Sequence, residues 1–424
     1  MRILIVNTSE SIGGAAVAAS RLVAALNNNG EKAMMLVRDK TEGHITTCQL
    51  PRRWIMRFRF AWERFVIYCH LLFRKDHLWE IDIANAGADI TSLREFKEAD
   101  VIHLSWINQG MLSLGDIRKI VKSGKPIVWT MHDLWPATSI CHYAGSCTEF
   151  MTGCQHCRLL PMGKCRSNLA TQVWKRKKQI YSKSNITFVA CSRWLKNQAK
   201  RSGLLEGMEL TDIPNPIDTN VFCPEDKAKA KAALGLPTDK KVILFVAQKL
   251  TDKRKGADYL VQALRKFAGI DGVNADEYAV ALLGGHGAEV ASLIPMEVVP
   301  LGYVHGDHNL ARVYNAADVF VLPSLQDNLP NTLMEALACG VPCVGFNVGG
   351  IPEMIDHRVN GYVAKVADSD DLASGLRWVL DEADASELHK AALAKTARCY
   401  SQASVSMRYL NIYSEAMARK RYLG

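Results

Sequence analysis

Two carboxylates separated by seven residues stand in the run Tyr314 to Pro342, Asp327 and Glu335. The apolar stretch Val319 to Leu322 reads as a strand that ends at Pro323-Ser324. A polar loop follows, and a helix begins near Asn331 with Glu335 in its early turns. That order places both acids at the C-terminal edge of a parallel sheet, where open α/β folds bind ligands. Loop residues Asn328, Leu329, Pro330, Asn331 and Thr332 can aim backbone amides outward there. An isolated pair of acids has a plainer explanation, with Asp327 capping the loop and Glu335 solvated on its helix. A second candidate is Gly13-Gly14, between the apolar run Ile3 to Val6 and the helix-like Val17 to Leu26. Glycines at such a turn admit close approach of the backbone, and the helix N-terminus attracts a phosphate. The pair lacks the spacing of the dinucleotide fingerprint, so a purely steric role is equally open. A third is His132, which follows the run Ile127 to Met131 and has Asp133 beside it.

Five of the 12 cysteines, Cys141, Cys147, Cys154, Cys157 and Cys165, lie within 25 residues. Cys141, Cys147, Cys154 and Cys157 could close a tetrahedral structural Zn²⁺ site that pins a loop without secondary structure. Reduced packing cysteines or a disulfide are the alternative. Arg52 to Lys75 carries seven basic residues against the single acid Glu63. Trp54, Phe58, Trp62, Phe65, Cys69 and Leu72 recur there at helical spacing, with arginines, Arg53, Arg57 and Arg64 among them, flanking the aromatic face. Such a helix suits the surface of an acidic bilayer. Packing of the aromatic face on the first domain is the other reading.

These residues need a scaffold of two domains. A chain of 424 residues exceeds what one core usually organises, and 48% hydrophobic with 22% charged residues is a globular composition. Short Val- and Ile-rich runs alternate with helical stretches from Ile3 to Cys191, and the rhythm restarts at Val242, the signature of buried parallel strands. Pro214 and Pro216 mark the linker. The expected domains are 1–220, carrying the basic aromatic segment 51–75 and the Cys-rich loop 141–165, and 221–400. A helix over 401–424 is expected to pack back on the first domain. The N-terminus enters a strand directly and no apolar stretch of about 18 residues occurs, so a cytoplasmic protein, peripheral to the inner face of the membrane, is expected.

The segment from Asp327 resembles the signature of family 4 of the retaining nucleotide-sugar glycosyltransferases. That pattern is Glu, seven residues, Glu, then Ala-hydrophobic-Ala-Cys-Gly-x-Pro and a later Gly-Gly. The chain supplies Asp327, Glu335, Ala336-Leu337-Ala338-Cys339-Gly340-Val341-Pro342 and Gly349-Gly350. The likeness extends through Leu301-Gly302-Tyr303-Val304, Gly13-Gly14 and Thr130-Met131-His132-Asp133, and so over most of the chain. It implies an α/β fold of two Rossmann-like domains facing across a cleft, the GT-B architecture. By resemblance, Glu335 holds the donor ribose, Asp327 and the amides after it hold the transferred sugar, and His132 positions sugar or acceptor. Lys255, with Lys249 as the nearest cation after the strand, neutralises the donor diphosphate, and catalysis requires no cofactor. Asp327 stands where the family usually has Glu, an arm shorter by one methylene. Retention by front-face attack is implied, and no glycosidase-type pair is evident.

The expectation is a glycosyltransferase that takes a UDP- or GDP-sugar and extends a glycan or lipid-linked acceptor in surface polysaccharide biosynthesis. A GT-B nucleotide-sugar epimerase and a non-catalytic membrane-associated scaffold are the alternatives. The net charge of +9 is accounted for by the basic helix and the Lys249 to Lys255 loop, with no recognised nucleic-acid module beside them.

Overall fold

The computed structural model describes residues 1–161 and 168–423. The chain divides into two units, Met1–Pro216 with Val405–Gly424, and Ile217–Ser404. The division falls at the second linker proline, because Ile217 already donates its N–H to Tyr400 O and Phe222 packs on Tyr314.

In the first unit the strands are β1 (Arg2–Ser9), β2 (Lys32–Asp39), β3 (Thr47–Gln49), β4 (Val101–Leu104), β5 (Ile127–Met131), β6 (Ile186–Ala190) and β7 (Glu209–Asp212). They form one sheet in the order β3-β2-β1-β4-β5-β6-β7, every pairing parallel. Ile3, Ile5, Val101, Val128 and Val189 face a core completed by Leu22 and Leu26 of the helix Gly14–Asn28. The last helix, Gln402–Leu423, adds Val405, Tyr409, Tyr413 and Ala416 to that core.

The second unit repeats the plan with β8 (Lys241–Lys249), β9 (Tyr278–Gly285), β10 (Glu297–Gly302), β11 (Val319–Leu322), β12 (Cys343–Phe346) and β13 (Gly361–Ala364), ordered β10-β9-β8-β11-β12-β13 and again parallel. Ile243, Phe245, Val280, Val319, Val321 and Val344 pack under the helices Ala257–Ala268 and Ser369–Arg377. The central strands are mainly apolar because helices cover both faces, and a parallel sheet leaves its loops free at the C-terminal edge.

Candidate active site

In the second unit, two loops at that edge are drawn together. After β8 the chain makes one tight turn over Lys253–Lys255 and enters its helix through Gly256, whose φ is +74°. A Cβ at Gly256 would stand 1.9 Å from Pro323 O, so a glycine is required for this loop to lie on the end of β11. Leu325 N–H donates to Arg254 O at 2.9 Å and fastens the two loops. The result is that Lys255 Nζ donates to Asp327 Oδ2 at 2.7 Å. Asp327 Oδ1 accepts from the Asn328 amide at 3.0 Å. Gly350 N–H reaches Asn328 O at 2.7 Å, and Gly349 lies so close that a Cβ there would sit 1.7 Å from Asp327 O. The Gly-Gly pair thus braces the acidic loop.

Glu335 lies on the helix Asn331–Ala338 and is buried, with the Tyr314 hydroxyl donating to its Oε2 at 2.7 Å. Tyr314 is itself wedged edge-on against Phe320. Glu335 is therefore no solvated helix residue. Leu329 is buried, Asn328 and Pro330 line the same loop, and Asn331 and Thr332 open the helix, whose first N–H groups lack intrahelical acceptors. Lys249 ends β8 with an exposed side chain.

In the first unit, His132 stands at the end of β5, half-buried, with Nε2 3.0 Å from Ser105 Oγ at the end of β4. Burial lowers its pKa to about 4, against a weaker pull upward from Asp133. The ring is neutral near pH 7. Behind it His103 is buried between Tyr413 Oη at 2.6 Å and Thr130 Oγ1 at 2.8 Å, and its pKa is pushed down to about 3 by the same desolvation. The last helix thereby sets the floor under His132. Gly13, with φ +93°, caps the helix Gly14–Asn28 at the end of β1, so Gly13, Gly14 and His132 belong to one sheet edge of this unit. The structure places them in a different unit from Asp327, Lys255 and Glu335.

Asp133 turns away from His132. It accepts from Trp135 N at 2.8 Å, Trp106 Nε1 at 2.9 Å and His142 Nδ1 at 2.7 Å. The other nitrogen of His142 lies 2.6 Å from Asp82 Oδ2, and Asp82 is paired with Arg64. This chain of charges, invisible in the spacing of its residues, ties the loop after β5 to the helix Arg53–His70. Arg64 is consequently buried and not one of the arginines flanking the aromatic face, because the inner face of the helix carries Met56, Glu63, Arg64 and Ile67. Glu63 is buried with it, accepting from the Ala84 amide at 2.7 Å. The outer face keeps Trp54, Phe58, Trp62 and Phe65 at 73, 65, 47 and 53% exposure. Cys141, Cys147, Cys154 and Cys157 line one small cavity, although among the described residues no three His, Cys, Asp or Glu side chains stand ready to hold a metal. Cys165 lies outside the described residues.

A model described as glycosyl transferases group 1 matches residues 240–382, and one described as glycosyltransferase family 4 matches residues 12–221. Together they take in both units. The D-inositol 3-phosphate glycosyltransferase of Saccharomonospora viridis is 30% identical over 216 residues, 48% of this chain and 50% of its own. The N-acetyl-alpha-D-glucosaminyl L-malate synthase of Bacillus anthracis is 29% identical over 191 residues, 43% of this chain and 46% of its own. The chain spans about half the length of the curated relatives it matches. Among solved structures, sucrose-phosphate synthase from Thermosynechococcus elongatus superposes with a TM-score of 0.66 at 19% identity, covering 98% of this chain and 99% of that one. Anabaena HepE in complex with UDP gives 0.63 at 16%, covering 98% and 100%. These likenesses are of fold. Two parallel sheets of this order, with the two matching family models, place the chain in glycosyltransferase family 4, built from the two Rossmann-like domains of the GT-B fold.

Proposed function

We propose that the chain is a retaining glycosyltransferase that takes a UDP- or GDP-sugar and glycosylates a glycan or lipid-linked acceptor of surface polysaccharide synthesis. The observation that carries this reading is the contact between Lys255 and Asp327 at the loop edge of the second unit. It puts a cation, a carboxylate and a helix N-terminus within one short stretch of surface. The ammonium of Lys255, aided by Lys249, holds the diphosphate and stabilises the charge that grows on it as the glycosidic bond breaks. The departing phosphate oxygen accepts the acceptor's proton, so no protein nucleophile is needed. Asp327 and the amides from Asn328 onward hold the sugar hydroxyls, and Glu335, fixed by Tyr314, accepts from the ribose. A neutral His132 donates to or accepts from a hydroxyl of sugar or acceptor without competing as a cation for the phosphate.

The lipid-linked acceptor and a peripheral seat on the inner membrane face rest on the helix Arg53–His70. Its outer face exposes four large aromatic side chains beside Arg53 and Arg57, a composition suited to anionic head groups. Its inner face reaches the His132 loop through Arg64, Asp82, His142 and Asp133. Among the described residues no helix is long and apolar enough to cross a membrane. The test is calorimetric titration with UDP-, GDP- and ADP-sugars, HepE having been solved with UDP-glucose, followed by product analysis. Saturable binding of one donor that Lys255→Ala weakens by about tenfold or more supports the proposal. Binding of none ends it, and release of an epimerised nucleotide sugar without acceptor would favour the epimerase.

A further inference from the structure

Residues 135–160 of the first unit are held by two single helical turns, Trp135–Ala137 and Glu149–Met151, and one bridge from Ile81 to Cys141. Four thiols nevertheless turn to the same place. Cys141, Cys147, Cys154 and Cys157 line an apolar cavity of about 20 Å³, room for a single small species, and none of them is in a disulfide. Cys154 opens the Cys-x-x-Cys turn with a left-handed backbone at φ +50°, after Gly153. A side chain other than glycine, asparagine or aspartate is seldom placed there without cause.

Around the cluster the Thr138 hydroxyl donates to Cys141 O and the Leu160 N–H to Cys157 O at 3.2 Å, which fixes the backbone that carries two of the thiols.

A second group points the same way. Lys177 is 0% exposed, its Nζ 3.2 Å from the centre of the Trp135 ring and donating to Trp135 O at 2.6 Å and Thr138 O at 3.1 Å. The groups nearest to it that can carry negative charge are Cys141, Cys154 and Asp133. Burial lowers its pKa well below the ordinary value against the upward pull of these groups, and four thiolates on a divalent ion, with a net charge of two minus, would strengthen that pull.

We infer that Cys141, Cys147, Cys154 and Cys157 bind one structural Zn²⁺, with Lys177 as the cation that offsets the charge of the thiolate cluster. An all-sulfur, closed, tetrahedral set selects zinc over the hard cations. The sulfurs ring the cavity without yet standing at ligand spacing, so binding draws the loop inward. It also fixes His142, next to Cys141, which brackets Asp133 against Asp82. The ion thus steadies the backbone that presents His132.

The test does not depend on finding a sugar donor. The full chain, purified without chelator from zinc-supplemented medium, is expected to carry about one zinc per chain by plasma mass spectrometry, falling below about one in ten in Cys154→Ser/Cys157→Ser. Cys48→Ser/Cys191→Ser, outside the cluster, retains the metal. Because the first variant could fail to fold, unfractionated wild-type protein is also exchanged with Co²⁺, which should give thiolate charge-transfer absorption and the strong visible bands of a tetrahedral site. Absence of zinc together with an octahedral or blank cobalt spectrum overturns the inference. So does a disulfide within the four found by mass spectrometry under non-reducing conditions in freshly purified protein.

Discussion

Lys255 donates to Asp327 across 2.7 Å although 72 positions separate them. Both side chains retain some exposure, 25 and 15%, so the pair is reachable by a ligand and adds little to stability. A diphosphate would compete with Asp327 for the ammonium, which predicts different losses on either side. Lys255→Ala should weaken UDP or GDP binding by about ten- to a hundredfold, the worth of one or two charge-assisted hydrogen bonds. Asp327→Asn should leave free nucleotide affinity within a fewfold and cut transfer instead. Asp327→Glu, the usual family residue, should keep transfer and change the preferred donor sugar. Calorimetry with nucleoside diphosphates beside turnover of the matching sugars reads all three, and a Lys255→Ala protein with unaltered nucleotide affinity contradicts the assignment.

Glu335 and Tyr314 make a separate prediction. The Tyr314 hydroxyl donates to Glu335 Oε2 and helps to orient the carboxylate on its helix. Tyr314→Phe should raise the apparent donor KM about tenfold, the cost of one hydrogen bond to a charged group, with kcat little changed. Glu335→Ala should cost affinity for a nucleoside diphosphate yet none for inorganic pyrophosphate, since the ribose is absent from the latter. Equal losses for both ligands would place Glu335 elsewhere than at the ribose.

The strands that apolar runs pick out are the interior ones, from Ile3 to Val6 through Cys343 to Phe346. The strands they miss, β3, β7, β10 and β13, are the two edges of each sheet. Edge strands are covered on fewer sides, and Glu209–Asp212 and Glu297–Gly302 carry the polar residues that exposure permits. The site around Asp327 and Glu335 was legible because its acids, lysines and glycines are adjacent in sequence or in a known pattern. The Asp133 to Arg64 chain was not, because its members come from three separate segments and meet only in the folded interior. For Arg64, helical periodicity marked an aromatic outer face but could not say that two charged residues, Glu63 and Arg64, fill the inner one.

His103 and His132 set a pH dependence whose sign is fixed by desolvation. His132 and His103 have pKa values lowered to about 4 and about 3, from an ordinary 6.5. Below pH 6.5 the unfolded chain takes up protons that the folded rings refuse, so stability falls as pH falls from 6.5 toward 4. Above 6.5 both states are neutral and neither ring contributes. Each histidine gives a slope of at most about 1.4 kcal/mol per pH unit. Urea unfolding followed by tryptophan fluorescence at pH 7, 6, 5 and 4.5 should show this decline. His103→Gln should flatten it while lowering stability at pH 7 through the lost contacts to Tyr413 and Thr130. An unchanged slope in that variant rules the origin out.

The helix Arg53–His70 predicts a division between its two faces. Trp54, Phe58, Trp62 and Phe65 leave much of their surface in water, and Arg53 and Arg57 are exposed beside them. Replacing Arg53 and Arg57 by Glu reverses the charge toward an anionic surface, so flotation with vesicles rich in phosphatidylglycerol should be lost with the melting temperature unmoved. Trp54→Ala/Phe58→Ala should likewise release the protein, and from zwitterionic vesicles as well as anionic ones. Arg64→Ala should do the opposite. Asp82, 1% exposed at its side chain, would lose its guanidinium partner, and a buried pair broken on one side costs about 3 kcal/mol. The melting temperature then drops by several degrees, while protein that remains folded still floats. Vesicle binding that ignores the outer arginines and aromatics would show that this face packs against protein and not lipid.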